Sequence, residues 1–374
     1  MAQTTVIRPD FLIIGAGVIG CAIARELARR RAGSIVVVDR GEPGAESSGA
    51  AAGVLAVASS RAPRGAVYGL KRASAALFPA LVAALRDETG IDVEYRERGL
   101  LELAMTERDA SALAALVAKR QADGHAAQLL DAAQVRDLEG LVAEDAIGGA
   151  FFAGDHALNN SKLVAALRRS AETCGVRFLG GRPVRKVERA GRRLAAVLAG
   201  EERFEPGEVI IAAGLGSRAV GDLLKAKMPI RADRGEMIAL RPAVLPRRTT
   251  VWGDGYLVPR NDGELLIGAT SGRGETEKVV TDASLELLLS RAARMLPSLR
   301  DVRPVRQWAG LRPMCTLRRP IIGAVPGFEN VTAATGHHRS GILLAPITAT
   351  LIAELLLGQE PSLPLAPFKY RKKP

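Results

Sequence analysis

Residues 10–20 read Asp-Phe-Leu-Ile-Ile-Gly-Ala-Gly-Val-Ile-Gly, an apolar run followed by glycines in the pattern Gly-x-Gly-x-x-Gly. The run Phe11–Ile14 predicts a buried strand, and the apolar residues from Val18 to about Arg30 recur at helical spacing. A second apolar run, Ile35–Val38, predicts another buried strand. The unit therefore reads strand, glycine turn, helix, strand, which is typical of a dinucleotide-binding βαβ fold.

Each glycine of this turn has a physical role. Gly15 permits the tight turn, Gly17 lets the backbone approach a pyrophosphate, and Gly20 lets the helix pack closely on the strand. The N-terminus of the helix then faces the phosphates. Asp39 follows the second strand, where a carboxylate can accept hydrogen bonds from a ribose diol. The pattern predicts a bound dinucleotide but does not by itself distinguish FAD from NAD.

Two later apolar strands also end in glycine and favour FAD over NAD. Residues 209–214 read Val-Ile-Ile-Ala-Ala-Gly, and residues 333–336 read Ala-Ala-Thr-Gly. Between them, residues 230–269 show the period-two alternation of antiparallel strands. The sequence thus predicts an α/β fold with a Rossmann-like dinucleotide domain and an α+β substrate domain built on an antiparallel sheet. The dinucleotide domain is predicted to be discontinuous (1–85, 150–225 and 306–374), with 86–149 and 226–305 forming the substrate domain.

The net charge of the chain bears on whether it binds RNA or an acidic partner. The formal net charge is +12, from 52 Lys and Arg against 40 Asp and Glu. Such a charge could attract RNA or an acidic partner subunit, but arginine is spread along the whole chain, so compositional bias is the favoured interpretation. Only Lys369–Lys373 forms a compact basic run. A homo-oligomer remains open.

Compartment and metal content follow from the cysteines and histidines. The three cysteines are far apart in sequence and predict neither a disulfide framework nor a metal pair, which favours a reducing, cytoplasmic location. The four histidines lack ligand spacing, so we expect no metal. The N-terminus shows no secretion signal. The apolar run Ile342–Leu357 is interrupted by Pro346 and Glu354 and predicts a buried helix rather than a membrane span.

Five segments in order resemble the glycine oxidases of the D-amino-acid oxidase family of FAD-dependent oxidoreductases. They are Asp10–Gly20, Ser47–Gly53, Ile211–Gly214, Trp308–Pro313 and Thr335–Pro346. The resemblance implies non-covalent FAD and the oxidative deamination of glycine or another small amino acid. The products would be an oxoacid, ammonia and, with oxygen as electron acceptor, hydrogen peroxide. It also hints that the product serves thiamine synthesis.

The expected substrate residues are Arg312, Tyr256 and Arg339. A planar guanidinium at Arg312 can bind the substrate carboxylate through two parallel bonds, and the resemblance gives Tyr256 a further hydrogen bond to that carboxylate. Arg339 would face either substrate or flavin. The predicted cofactor-binding residues are Gly15, Ala16, Gly17, Val18, Ile19, Gly20, Asp39, Arg40, Ser47, Ser48, Ala51, Ala52, Gly53, Val184, Ala213, Gly214, Gly310, Arg339, Gly341, Ile342 and Leu343. The last three open a helix whose positive end would stabilise the anionic reduced flavin.

The sequence departs from the family after Pro313, where Met314–Pro320 replaces a small turn-forming segment, and this leaves substrate size open. Asp254 and Ser271 lie near the expected pocket without a family match. His337 is interpreted as structural rather than as a catalytic base. Three other functions remain open: a dehydrogenase passing electrons to a quinone or partner subunit, a flavin enzyme acting on tRNA, and a non-catalytic flavin-binding subunit.

Overall fold

The computed structural model describes residues 5–61 and 64–370. In these residues the strands are β1 (Val6–Ile7), β2 (Phe11–Ile14), β3 (Ile35–Val38), β4 (Val54–Leu55), β5 (Leu100–Ala104), β6 (Ala127–Asp131), β7 (Gly148–Phe152), β8 (His156–Ala157), β9 (Arg177–Leu179), β10 (Val184–Ala190), β11 (Arg193–Ala199), β12 (Glu202–Phe204), β13 (Glu208–Ile211), β14 (Ile230–Leu240), β15 (Thr249–Trp252), β16 (Gly255–Pro259), β17 (Leu265–Gly268), β18 (Gly272–Arg273), β19 (Pro304–Cys315), β20 (Ile321–Ala324) and β21 (Val331–Thr335). The α-helices are α1 (Val18–Arg29), α2 (Ala66–Thr89), α3 (Glu107–Ala122), α4 (Ala132–Leu138), α5 (Asn160–Thr173), α6 (Ser217–Leu223), α7 (Asp282–Met295) and α8 (Gly341–Leu356). The basic run at the C-terminus lies outside the described residues from Arg371 onward.

A six-stranded sheet in the order β20-β21-β13-β2-β3-β9 carries the glycine turn. Five of its strands are parallel, and β20 pairs antiparallel with β21. All four residues of β2 and of β3 are buried. Alternate side chains pack on opposite faces, because Ile13 contacts the layer of α1, α5 and α8 whereas Leu12 contacts the small sheet on the other side. Strands that are apolar on both faces are the expected product of a sheet covered on both sides.

The small sheet on that second face has the order β1-β12-β11-β10. Its β10–β11 hairpin turns at Gly191, which adopts a φ of 59°, where the sequence predicts a hairpin. Phe204 and Val197 of this sheet are fully buried against the six-stranded sheet. The dinucleotide region is therefore built of three layers: helices, parallel sheet and small antiparallel sheet.

A nine-stranded sheet forms the second large layer, in the order β18-β14-β17-β16-β15-β5-β7-β6, with β19 paired along β14. Every pairing in it is antiparallel except that of β15 with β5. Two of the predicted domain boundaries fall inside its strands: 149/150 divides β7, and 305/306 divides β19. Hydrogen bonding along β14 places residues 306–315 in the nine-stranded sheet of the substrate side. We therefore propose the predicted domain division with these residues assigned to the substrate domain.

Helix α8 and the three residues before it form an apolar segment, His338–Leu356, that is long enough to cross a membrane. In the structure 67% of the most apolar 18-residue stretch of this segment is buried, and the helix packs against α1 and α2. The Ser74 hydroxyl of α2 donates to the Leu343 carbonyl of α8 and is itself fully buried. The apolar composition of α8 thus reflects a helix in the protein core, as the interrupted run predicts.

The first prediction concerns the packing of α1 on β2. A Cβ added at Gly20 would overlap the carbonyl of Gly15, so backbone would have to move. We expect Gly20→Ala to lower the free energy of unfolding by about 3 kcal/mol, the upper range for overpacking, measured by urea denaturation. Gly41→Ala is the matched control, since a Cβ there meets nothing within 4 Å. Equal stability of the two variants would contradict this account of the turn.

Candidate active site

A cavity of about 470 Å³ opens where the carboxyl ends of the parallel strands meet. The residues that follow β2, β3, β13 and β21 all contribute to its wall, as Gly15, Asp39, Ala213 and Gly336. The nine-stranded sheet closes the other side with residues of β14, β16 and β19. A ligand crevice at the carboxyl ends of the strands is the position expected for an open α/β sheet.

The Asp39 carboxylate holds the glycine turn. Its Oδ2 accepts a hydrogen bond from the Ala16 amide at 2.7 Å, and its Oδ1 accepts one from the Gly41 amide at 2.9 Å. Gly15 has a φ of 110°, and a Cβ there would come within 2.6 Å of the Ala212 carbonyl oxygen. The turn therefore needs glycine for its conformation and for its contact with the strand beside it.

Gly17 lies at the N-terminus of α1, where its lack of a side chain leaves the cavity wall open. A Cβ there would approach the Ser48 hydroxyl at 3.2 Å. That hydroxyl accepts a hydrogen bond from the Val18 amide at 3.0 Å. The 47–53 segment therefore satisfies one amide at the start of the helix, and most of its residues line the cavity.

The 47–53 segment is held between the two large sheets. Ser47 donates from its hydroxyl to the Leu311 carbonyl of β19 at 2.5 Å, and the Trp308 indole donates to the Ala50 carbonyl at 3.1 Å. Arg260, which follows β16 and is only 6% exposed, donates to the carbonyls of Leu158 and Ala52 and to the Asn160 side chain. Burial lowers the pKa of Arg260 to about 10. These bonds fix the segment against both sheets.

The N-terminus of α8 also meets the cavity. Gly341 and Ile342 line it, and no side chain caps the first turn of the helix. Uncapped amides at a helix start carry partial positive charge. The wall beside Arg339 is therefore electropositive.

Most of the predicted cofactor-binding residues line this one cavity. They are Gly15, Gly17, Val18, Ile19, Asp39, Arg40, Ser47, Ser48, Ala51, Ala52, Gly53, Val184, Ala213, Gly214, Gly310, Arg339, Gly341 and Ile342. Three do not line it. Ala16 is buried beneath the turn with its amide on Asp39, Gly20 packs on Gly15, and the Leu343 side chain is turned into the core.

Arg312 lies within β19, directly across from Asp233 of β14. Its Nη1 donates to the Asp233 carboxylate at 3.3 Å and to the Thr270 carbonyl at 3.1 Å. No carbonyl or carboxylate oxygen of the described residues binds its Nη2 or Nε. The guanidinium is thus anchored through Nη1 to Asp233 and Thr270, and it lines the cavity within hydrogen-bonding reach of the Tyr256 hydroxyl.

Tyr256 of β16 lines the same cavity and lies over Gly268, where an added Cβ would meet its hydroxyl at 2.6 Å. Its hydroxyl donates to the Met237 sulfur at 3.7 Å, a weak contact. Burial raises the pKa of Tyr256, although the charges of Arg312 and Arg339 oppose that shift. The hydroxyl is therefore neutral at physiological pH and able to donate a stronger bond to a ligand.

The sequence alone did not single out Asp233 or His338. Asp233 is fully buried and accepts from the Ser271 hydroxyl at 2.7 Å and from Nε2 of His338 at 2.6 Å. Burial opposes ionisation of Asp233, but the bonds from Ser271 and His338 and the charge of Arg312 outweigh it and lower its pKa. No local pattern marked Asp233, because β14 also carries Arg231, Arg234 and Glu236 and the partners of Asp233 come from three distant segments.

The adjacent histidine has a different environment. His337 is buried, and its Nε2 pairs with the Thr348 hydroxyl at 3.1 Å. Burial lowers the pKa of His337 to about 3, so the ring stays neutral. This environment supports its structural interpretation. Asp254, by contrast, is an exposed carboxylate at the cavity wall. In residues 5–61 and 64–370 no group of three or more His, Cys, Asp or Glu is placed to hold a metal ion.

The residues present suit FAD. One wall offers a carboxylate held at a strand end, a glycine turn and a helix N-terminus, which match a ribose and a pyrophosphate. A second wall offers uncapped amides of α8 and the side chain of Arg339. Such a set of donors fits a dinucleotide whose ring becomes anionic on reduction.

Comparison with known proteins agrees with this geometry. The family model "FAD dependent oxidoreductase" (DAO) matches residues 10–355. The glycine oxidase of Geobacillus kaustophilus is 33% identical over 96% of this chain and 96% of its own, and that of Pseudomonas aeruginosa is 35% identical over 96% and 97%. The crystal structure of the Geobacillus kaustophilus enzyme superposes with a TM-score of 0.94 at 32% identity, covering 98% of this chain and 99% of that one.

The predicted fold class and the FAD cofactor are confirmed by these matches, since they extend over almost the whole chain at the level of sequence and of structure. The chain belongs to the DAO family of FAD-dependent oxidoreductases.

Proposed function

We propose that this enzyme oxidises glycine or another small amino acid at the carbon next to nitrogen. The imine then hydrolyses to an oxoacid and ammonia, and oxygen takes the electrons to give hydrogen peroxide. The observation that carries the proposal is the guanidinium of Arg312, oriented through Nη1 in the same cavity as the glycine turn and Asp39. Three free cysteines, of which Cys174 is exposed, support a cytoplasmic location.

Arg312 is the proposed carboxylate ligand. The fork of a guanidinium matches the two oxygens of a carboxylate, and each charge-assisted bond contributes about 1.5–3 kcal/mol. Because Nη1 is held by Asp233 and the Thr270 carbonyl, the side chain is oriented before substrate arrives. Such preorganisation lowers the entropic cost of binding.

Tyr256 and Arg339 complete the proposed anion site. The Tyr256 hydroxyl has only the Met237 sulfur as acceptor in the described residues. It lies close enough to Arg312 for the positive charge of that residue to act on its pKa. We assign it a hydrogen bond to the substrate carboxylate. Arg339, beside the start of α8, adds a second positive charge. FAD, when bound, supplies the acceptor for the hydride that leaves the substrate carbon. The protein groups bind and orient the substrate for that transfer.

Substrate identity is tested by the visible spectrum of the holoenzyme. We expect glycine, added without air, to bleach the flavin absorbance, and admission of oxygen to restore it with release of peroxide. Sarcosine and D-alanine serve as the comparison amines. If none of the three bleaches the flavin, the substrate assignment is wrong. Bleaching followed by slow reoxidation in air, but fast reduction of a quinone dye, would show that the electron acceptor is a quinone or a partner rather than oxygen.

Asp39 is expected to control flavin retention. Asp39→Ala removes the acceptor of the Ala16 amide in the glycine turn and of the Gly41 amide, together with the proposed ribose-binding carboxylate. We expect the dissociation constant for FAD to rise by about 100-fold, the equivalent of two lost hydrogen bonds to a charged group, in a fluorescence titration of apoprotein. Asp87→Ala, at an exposed position on α2, is the matched control. Equal affinity in both variants would remove Asp39 from the cofactor site.

Arg312 is expected to control substrate affinity and not flavin content. Arg312→Ala should raise the KM for glycine by about 100-fold or more, from the loss of two charge-assisted bonds, while the flavin absorbance per protein stays unchanged. Arg312→Lys should recover only part of the loss because an ammonium cannot form the fork. Arg108→Ala, exposed on α3, is the control. An unchanged KM in Arg312→Ala would exclude it as the carboxylate ligand.

A further inference from the structure

We propose that His338 accepts the proton that the substrate's ammonium group must lose before oxidation, with Asp233 as the group that positions its ring. This inference rests on the proposed function and names a catalytic residue for it. An ammonium nitrogen has no lone pair, so the carbon–nitrogen double bond cannot form until one N–H proton leaves. That proton passes to Nδ1 of His338. The α-hydrogen then leaves with its electron pair as hydride to oxidised FAD, and the nitrogen lone pair forms the C=N bond.

The pairing with Asp233 determines which nitrogen of His338 can accept the proton. Asp233 is buried and ionised, so it acts only as an acceptor, and its Oδ2 lies 2.6 Å from Nε2 of His338. Nε2 therefore carries the hydrogen, and Nδ1 carries the lone pair. Ser271 holds the other carboxylate oxygen at 2.7 Å. A histidine oriented by a buried carboxylate is a recurring arrangement for proton transfer.

The location of His338 fits a short amino acid. Arg312 Nη1 and His338 Nε2 bond the same oxygen, Oδ2 of Asp233. A carboxylate on Arg312 thus lies beside the imidazole, and in an α-amino acid the nitrogen is only one carbon away from that carboxylate. His338 lines the cavity, and its side chain remains 30% exposed. The ring can therefore meet the amine and pass the proton on to solvent.

The other titratable groups at this end of the cavity are unsuited to the task. Arg312 and Arg339 are cations, and the pKa of Tyr256 is raised, so that its hydroxyl is neutral. His337 has its Nε2 on Thr348 and is enclosed by the core. Three carboxylates also line the cavity: Asp39 is bonded to the amides of Ala16 and Gly41, Asp254 is exposed, and Glu46 is paired with Arg40 and Lys278.

His338 itself is neutral at physiological pH. Burial lowers its pKa, Asp233 opposes that shift, and the charges of Arg339 and Arg312 reinforce it. Its backbone has a φ of 52°, a left-handed conformation that is strained for any residue other than glycine. Non-glycine residues in this conformation concentrate at active sites, where surrounding contacts hold them. Here the bond to Asp233 is such a contact.

The test measures the rate of flavin reduction by glycine in anaerobic stopped flow between pH 7 and pH 10, with the holoenzyme and with His338→Gln. Glutamine can still donate to Asp233 but cannot take up the proton. We expect the rate to fall by about 100-fold at pH 7, the usual loss for a general base, and to rise with pH until the two proteins converge where glycine is already a neutral amine. Added imidazole should restore the variant at pH 7. His125→Gln, a histidine paired with Tyr68 outside the cavity, should match the wild type.

A loss that is equal at every pH, or no loss at pH 7, overturns the role of His338. An independent readout is the tautomer of His338 in ¹⁵N-labelled holoenzyme. We expect hydrogen on Nε2, and hydrogen on Nδ1 would contradict the proposal. Sarcosine and D-alanine are run in parallel, since the role concerns any ammonium substrate. Reduction by one of these but not by glycine corrects the substrate alone, whereas a flavin that none of the three reduces overturns both proposals.

Discussion

The bond between the Asp39 carboxylate and the glycine turn is the constraint on which the site depends. Amides near a buried strand end need acceptors, and the Asp39 carboxylate accepts from the Ala16 amide of the glycine turn and from the Gly41 amide of its own loop. The same carboxylate follows β3, so the ends of β2 and β3 are fixed relative to each other. Gly15 meanwhile contacts the backbone after β13 so closely that no side chain fits between them. Three strand ends are thus locked into one cavity wall.

The second wall comes from another sheet, so a connection between the sheets is required. The 47–53 segment provides it, with Ser47 bonded to β19 and Ala52 bonded to Arg260. No carboxylate of the described residues pairs with the buried cation of Arg260, which donates instead to two carbonyls and an amide oxygen. Removing a buried charged donor from such a network is strongly destabilising, because the acceptors lose their partner. We therefore regard Arg260 as the residue that holds the cofactor and substrate walls in register.

The sequence predicted those features that local spacing encodes. The βαβ unit follows from apolar runs around Gly-x-Gly-x-x-Gly, and β2 and β3 have the predicted bounds. Arg312 and Tyr256 were identified through a resemblance, because nothing local separates them from other arginines and tyrosines. Asp233 and His338 are 105 residues apart, and only the register of β14 against β19, together with the turn before α8, brings them together. The hydrophobic periodicity of a sequence does not reveal a contact between residues so far apart. The predicted boundary at 305/306 divides β19 for the same reason, since the pairing of β19 with β14 is non-local.

The charges around Asp233 explain why this end of the cavity favours a neutral amine. Arg312 and Arg339 contribute two positive charges and Asp233 one negative charge, so one carboxylate from the substrate makes the group neutral. An ammonium would then add a positive charge beside two guanidiniums in a partly buried space, where like charges repel more strongly than in water. The imidazole of His338 can accept the proton that leaves the ammonium group, so no further carboxylate is needed as a base. Asp233 stabilises the imidazolium that results. The buried aspartate thereby has two consequences: it orients the arginine that binds the acid end of the substrate, and it supports the histidine that prepares the amine end.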